Sequence, residues 1–117
     1  MSFDLDALVT AIKDAASNVL NTDIAVFEGF SERQVKAMAQ QTQLVATGIA
    51  TGQITDATKD FFLDGLKDMA LSFAKTLAGL VVVTVEKIWN AVVGVIWKAI
   101  SDTAGIALPI PMLAHNG

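Results

Sequence analysis

Residues 77–100 constrain the fold more than any other part of the chain, because apolar side chains point in nearly every direction around a helix there. The segment reads LAGLVVVTVEKIWNAVVGVIWKAI. A helix that is apolar on all sides has to be covered by a protein core, a membrane or other chains. The chain has 117 residues, enough for one domain with a modest core. We therefore expect this segment to need more covering helices than one chain supplies.

The charge content of the chain is low, and its balance is acidic. Charged residues make up 17% of the sequence and hydrophobic residues 53%, with a formal net charge of -4. An average domain has about a quarter of its residues charged. A nucleic-acid-binding protein needs a basic surface that neutralises phosphates. We therefore expect no nucleic-acid partner.

Two further features bear on redox chemistry and targeting. The sequence has no cysteine, which excludes disulfides and thiolate catalysis. It starts Met-Ser-Phe-Asp-Leu-Asp, which is acidic where a signal peptide carries basic residues before an apolar run. We expect no signal peptide, synthesis in the cytoplasm, and then incorporation into an assembly particle or onto a membrane surface.

The spacing of apolar residues predicts an all-α fold in a single domain, residues 1–117, packed in a helical oligomer. Residues 4–20 show the i, i+3, i+4, i+7 pattern of an amphipathic helix. Ser31 and Gln34 form a capping-box pattern that opens a second helix, 31–51. The positions of this second helix with coiled-coil-like spacing are Val35, Met38, Thr42, Val45 and Ile49.

A third helix is predicted over residues 56–100, since no proline or double glycine interrupts this range. Thr55 or Asp56 can cap its start. At 1.5 Å per residue such a helix is about 65 Å long, against about 35 Å for the diameter of a compact domain of this size. We expect it to protrude and to be covered by neighbouring copies. The alternative is a monomeric bundle that bends sharply at Gly79.

The residues after this helix predict an extended tail, 102–117. Gly105 is a typical helix C-terminal signal, and Pro109 and Pro111 hold the following backbone extended. An apolar extended segment needs a surface to lie on. We expect it to dock on its own bundle or on a neighbouring copy. The docking residues predicted are Ile106, Leu108, Pro109, Ile110, Pro111, Met112 and Leu113.

A membrane span is a weaker interpretation of the apolar segment. Its length suffices to cross a bilayer, but Glu86 and Lys87 lie at its centre. Each central charge costs about 2.5–3.5 kcal/mol on an insertion scale, which cancels the roughly 5 kcal/mol gained from the eleven Leu, Val and Ile residues of 77–97. A lone transmembrane helix is therefore disfavoured.

Association between copies is the favoured alternative, because large exposed apolar patches mark interaction sites. Trp89 and Trp97 are typical interface anchors, and Gly79 and Gly94 allow close helix approach. Glu86 and Asn90 belong to a narrow polar stripe that faces solvent or a lumen, or else fixes the register between copies. The predicted oligomer interface comprises Leu77, Leu80, Val81, Val85, Trp89, Val92, Val93, Ile96, Trp97 and Ile100.

Catalytic chemistry has little support in the sequence. His115, the single histidine, lies near the C-terminus without a nucleophile or metal-ligand motif around it. Asp60, Asp64 and Asp68 share one helix face, which we interpret as a solvated acidic face and not as a cation site. We predict that the protein is not an enzyme and binds no cofactor or metal.

These observations predict a self-assembling structural or scaffold subunit, for example a virion component of a phage particle, a filament protein or part of a secretion apparatus. Its partners would be copies of itself and one other assembly protein. The alternative is a membrane-active, membrane-associated helical protein, either holin-like or an ejected pore component. A small adaptor for one dedicated partner is a third interpretation, which the sequence does not separate from the first.

Overall fold

The computed structural model describes residues 4–27, 30, 32–80 and 83–112. These residues form four α-helices and a short 3-10 turn, and the described ranges contain no strand, which confirms the all-α class. The helices are α1 (Leu5–Leu20), α2 (Glu32–Ala50), α3 (Asp56–Ala78) and α4 (Val85–Ala104), and the 3-10 turn is Ile24–Val26.

Local hydrogen bonds explain where α1 begins and ends. The Asp4 carboxylate accepts a hydrogen bond from the Ala7 backbone N–H at 3.0 Å, which satisfies one of the free donors of the first turn. Asn21 ends the helix in the left-handed conformation, with φ of 56°. The Ser17 hydroxyl then accepts from the Ile24 backbone N–H at 3.2 Å, and Ile24 is buried.

The first half of the bundle continues through α2 and a tight turn into α3. Val35, Met38, Thr42 and Val45 are buried as their spacing predicts, although the helices they pack against belong to the same chain. The predicted Ser31 cap lies outside the described residues. Gly52 has φ of 80°, a conformation that favours glycine. This turn lays the Ile54 side chain over Gly48, and the Ile54 N–H donates to the Gly48 carbonyl at 2.9 Å.

The prediction of one helix over 56–100 is wrong, since α3 ends at Ala78 and α4 begins at Val85. The Gly79 N–H donates to the Lys75 carbonyl at 3.1 Å and closes α3. Thr84 caps α4 by accepting from the Lys87 N–H at 3.4 Å. A single glycine, followed after Leu80 by a run of five β-branched residues at 81–85, combines low helix propensities, which is enough to end a helix without proline. The break falls at Gly79, the position of the predicted bend.

The helix α4 lies against all three other helices. Its buried residues are Ile88, Trp89, Val92, Val93, Ile96, Trp97 and Ile100. Trp89 also donates its Nε1–H to the Lys67 carbonyl of α3 at 3.1 Å. The chain therefore covers more of the apolar segment than expected, because the bend lets α4 return along α3 and into contact with α1 and α2, whereas Leu80 of the segment is exposed.

Candidate interaction surfaces

Most of the predicted oligomer interface lies inside the chain. Leu77, Trp89, Val92, Val93, Ile96, Trp97 and Ile100 belong to the hydrophobic core. Val85 is half-buried against that core, Leu80 is exposed, and Val81 lies outside the described residues. Because the chain's own helices cover the seven core residues, they are not open to a second copy in this fold.

The predicted polar stripe is half-buried. Glu86 and Asn90 both have intermediate exposure on α4, whereas the charged residues Lys87, Lys98 and Asp102 of the same helix are exposed. Lys98 and Asp102 form an exposed ion pair at 2.9 Å. The solvent-facing edge of α4 therefore follows these charges.

The two glycines expected to allow close helix approach do not serve that purpose within the chain. A Cβ atom built on Gly94 meets no other atom within 4 Å. A Cβ on Gly79 reaches only the carbonyls of Lys75 and Thr76, both at 3.6 Å, which is ordinary van der Waals distance. Gly79 instead ends α3, and Gly94 faces open space.

The tail lies on its own bundle, which is one of the two placements predicted for it. Its Ile106 N–H donates to the Ser101 carbonyl, and its Leu108 N–H donates to the Ser101 hydroxyl, both at 3.3 Å. Leu108 packs against the core. Together with Pro109 and Pro111, it lines a surface pocket of about 360 Å³ beside Leu63 and Trp97.

The tail has an anchored half and an exposed half. Leu108 and Pro111 are half-buried, and Ile106 and Pro109 are exposed. Ile110 is 50% exposed and Met112 is 70% exposed. Leu113 lies outside the described residues. Apolar side chains in the last described part of the tail are therefore available to another molecule.

The acidic row on α3 is solvated. Asp60, Asp64 and Asp68 are exposed, and Lys67 pairs with Asp64 at 3.5 Å. Within the described ranges, no three His, Cys, Asp or Glu side chains come together as a metal site. His115 lies outside these ranges.

A groove between α2 and α3 is a candidate interaction surface that the sequence interpretation missed. It has a volume of about 580 Å³ and is open at the surface. We call it the glutamine groove because three glutamine side chains border its apolar residues. Its lining residues are Gln40, Gln43, Leu44, Thr47, Gly48, Gln53, Ile54 and Phe62.

The glutamine groove combines exposed apolar side chains with an absence of charge. Leu44 is 57% exposed. Next to the groove, Phe61 is 77% exposed, and its ring lies edge-on to the half-buried Phe62 ring at 5.4 Å. The sequence contains no charged residue from 37 to 55. In the sequence, this surface is indicated by Leu44, an apolar residue that follows several glutamines. Only the fold places Leu44 beside Gln53 and Phe62.

A second groove, between α1 and α4, has a different character. Ala7, Ala11 and Ala99 supply part of its lining, and its volume is about 370 Å³. Charged residues line it as well, namely Asp4, Lys98 and Asp102. Interface cores are depleted in charged residues, so the glutamine groove is the better candidate for association.

No helix of the described residues is long and apolar enough to cross a bilayer. Neither a protein-family model, nor a curated protein, nor a solved structure shows significant similarity to the chain.

Proposed function

We propose that this protein is a non-enzymatic, self-assembling structural subunit whose copies associate at the glutamine groove. The observation that carries the proposal is the exposure of Leu44 in a groove whose lining residues carry no charge, with the exposed Phe61 ring beside it. Fully burying one such side chain contributes roughly 1.5–3 kcal/mol. Because each contact contributes a free energy this small, a stable assembly would be held by many weak, repeated interfaces.

The charge distribution supports association at this surface. Each copy carries a formal net charge of -4, so two copies repel one another where acidic residues face each other. The glutamine groove has no charged residue among its lining side chains. Copies that meet there bury apolar surface without placing like charges together. A phage particle, a filament or a secretion apparatus is the kind of assembly that uses such a subunit, with one further assembly protein as a partner.

The experiment that tests this proposal is a measurement of molecular mass against protein concentration in buffer without detergent. We expect the mass to rise above that of the 12.3 kDa chain as concentration increases. Leu44→Glu should prevent the rise, because it places a carboxylate in the groove. A chain that stays monomeric at every concentration would contradict the proposal.

Val26→Glu is the matched control for that variant. Val26 is 70% exposed on the 3-10 turn and is not part of the groove. The substitution adds the same charge to the same chain and should leave assembly unchanged. If both variants abolished assembly, the cause would be the added charge and the groove would not be the interface.

Membrane activity is the second candidate function, and the position of α4 favours it. The most apolar helix of the bundle packs its apolar side against the three other helices, so an opening of the bundle would expose that side to lipid. Flotation with liposomes separates the two candidates. Lipid binding that detergent reverses supports the membrane-active candidate. Soluble oligomers that do not bind liposomes support the structural subunit.

A further inference from the structure

We infer that the glutamine groove of one copy binds the proline-containing tail of a second copy. This inference rests on the proposed self-assembly and specifies the contact that produces it. The tail is the described segment 106–112, which reads IALPIPM. Its exposed side chains Ile110 and Met112 are the groups that would enter the groove beside Leu44 and Phe62.

Groove and tail match in charge. The sequence has no charged residue from 103 to 112, as it has none from 37 to 55. An uncharged groove accepts an uncharged segment without burying an unpaired charge, which would be costly. The lining of the groove and the segment 106–112 thus bring no acidic side chain of their own into the contact.

Groove and tail also match in hydrogen bonding. An extended backbone exposes its carbonyl and N–H groups, and Pro109 and Pro111 lack the N–H, so this tail presents more acceptors than donors. The side-chain amides of Gln40, Gln43 and Gln53 carry donors and an acceptor each. They can donate to the tail carbonyls while Leu44 and Phe62 contact the apolar side chains.

The position of the tail on its own chain explains why the occupant comes from a second copy. Leu108 and Pro109 lie beside Leu63 and Trp97, on the side of α3 that carries Lys59, Asp60 and Lys67. Phe62, the single α3 residue that lines the groove, is turned toward α2. Each copy thus displays the exposed end of its tail on one side of α3 and an open groove on the other.

A contact between two different surfaces has a consequence for assembly. When the tail of one copy occupies the groove of the next, each end of the growing array keeps an unused tail or an unused groove. Such a head-to-tail contact extends into a filament or closes into a ring. A contact between two grooves, in contrast, stops at a dimer.

Mixing two complementary variants tests the inference. Leu44→Glu blocks the groove and keeps the tail, whereas Ile110→Glu blocks the tail and keeps the groove. We expect each variant alone to be monomeric by mass measurement. We expect an equimolar mixture to form a species of two chains that grows no further, since one intact tail meets one intact groove. Both replaced side chains are exposed, and far-UV circular dichroism would check that each variant keeps the helical fold.

The outcomes separate the inference from the function on which it rests. If the natural chain assembles but Ile110→Glu assembles equally well, or if the mixture stays monomeric, the contact of tail and groove is wrong and self-assembly stands. If the natural chain is monomeric at all concentrations, both fail. Val26→Glu should assemble like the natural chain. Because it keeps both an intact groove and an intact tail, its mixture with Leu44→Glu or with Ile110→Glu should not stop at a species of two chains.

Discussion

Trp89 is the residue that ties two helices together by a directed bond. Its side chain is buried, and its Nε1–H donates to the backbone carbonyl of Lys67 at 3.1 Å. A buried indole N–H needs an acceptor, because an unsatisfied polar group in a core is costly. Here α3 supplies that acceptor from its backbone. The bond thus fixes the position of the first half of α4 along the axis of α3.

Trp89→Phe should therefore destabilise the protein by about 1–2 kcal/mol. The variant loses one hydrogen bond, worth about 1 kcal/mol, and part of a buried aromatic surface. Urea unfolding followed by far-UV circular dichroism measures the change in the free energy of unfolding. Lys67→Ala is the control, since it removes an exposed ion pair but keeps the accepting carbonyl, and it should change stability by under about 0.5 kcal/mol. Equal effects of the two substitutions would contradict this role of Trp89.

The break between α3 and α4 determines how the helices of this fold are arranged, because it lets α4 return along α3. In a continuous helix, residues 60 and 102 would lie about 63 Å apart at 1.5 Å per residue. The whole bundle, by comparison, is 41 Å in its longest dimension. A distance across the break therefore distinguishes a returning helix from a protruding one.

Spin labels at Asp60→Cys and Asp102→Cys should report a distance well below 41 Å. Both residues are exposed, and the sequence has no other cysteine to interfere. Pulsed electron spin resonance measures the separation. A control pair at Asp60→Cys and Lys75→Cys lies within α3 and should give about 22 Å whether or not the helix breaks. A separation near 60 Å for the first pair would show that the helix is continuous.

Helix boundaries were predictable where local signals agreed. The predicted ranges 4–20 and 31–51 differ by one residue at most at each end from α1 and α2. Apolar periodicity and polar caps act within one turn of backbone, so the sequence displays them directly. The break after Gly79 depends on a balance between a weak local signal and the energy of packing α4 on the other helices. That packing energy depends on contacts between residues that are distant in the sequence, so a local sequence pattern does not predict it.

The whole molecule is organised around α4, which joins the other three helices into one core. Because α1, α2 and α3 each pack on α4, the loss of its contacts weakens every part of the bundle. Such an arrangement favours cooperative unfolding in a single transition. Local openings that leave the rest of the core intact are correspondingly restricted to the tail and the helix ends.

Ile96→Ala should lower the free energy of unfolding by about 2–5 kcal/mol, because Ile96 is fully buried and its truncation leaves a cavity. Thermal unfolding should shift equally when followed by tryptophan fluorescence and by far-UV circular dichroism. Val26→Ala, at an exposed position of the 3-10 turn outside both the groove and the tail, is the control and should change stability by under about 0.5 kcal/mol. Two separate transitions in the Ile96 variant would contradict a single cooperative core.

The candidate interaction surface was harder to predict than the core, for a geometric reason. The pattern correctly marks Val92, Ile96 and Ile100 as residues that need cover, and all three are buried. A pattern of apolar residues does not state whether the cover comes from the same chain or from another one. The glutamine groove is assembled from α2, the turn after it and α3, so its residues become neighbours only in the folded chain.

The enclosure of α4 also bears on how the polypeptide is made. Translation delivers α1, α2 and α3 before the helix on which all three pack, so the core face of each waits without its partner. During that interval the hydrophobic core is incomplete, and the apolar side chains that α4 would cover favour aggregation or binding by a chaperone. The contacts of α4 with all three helices form only after α4 has been synthesised, so the core is completed late in translation of this bundle.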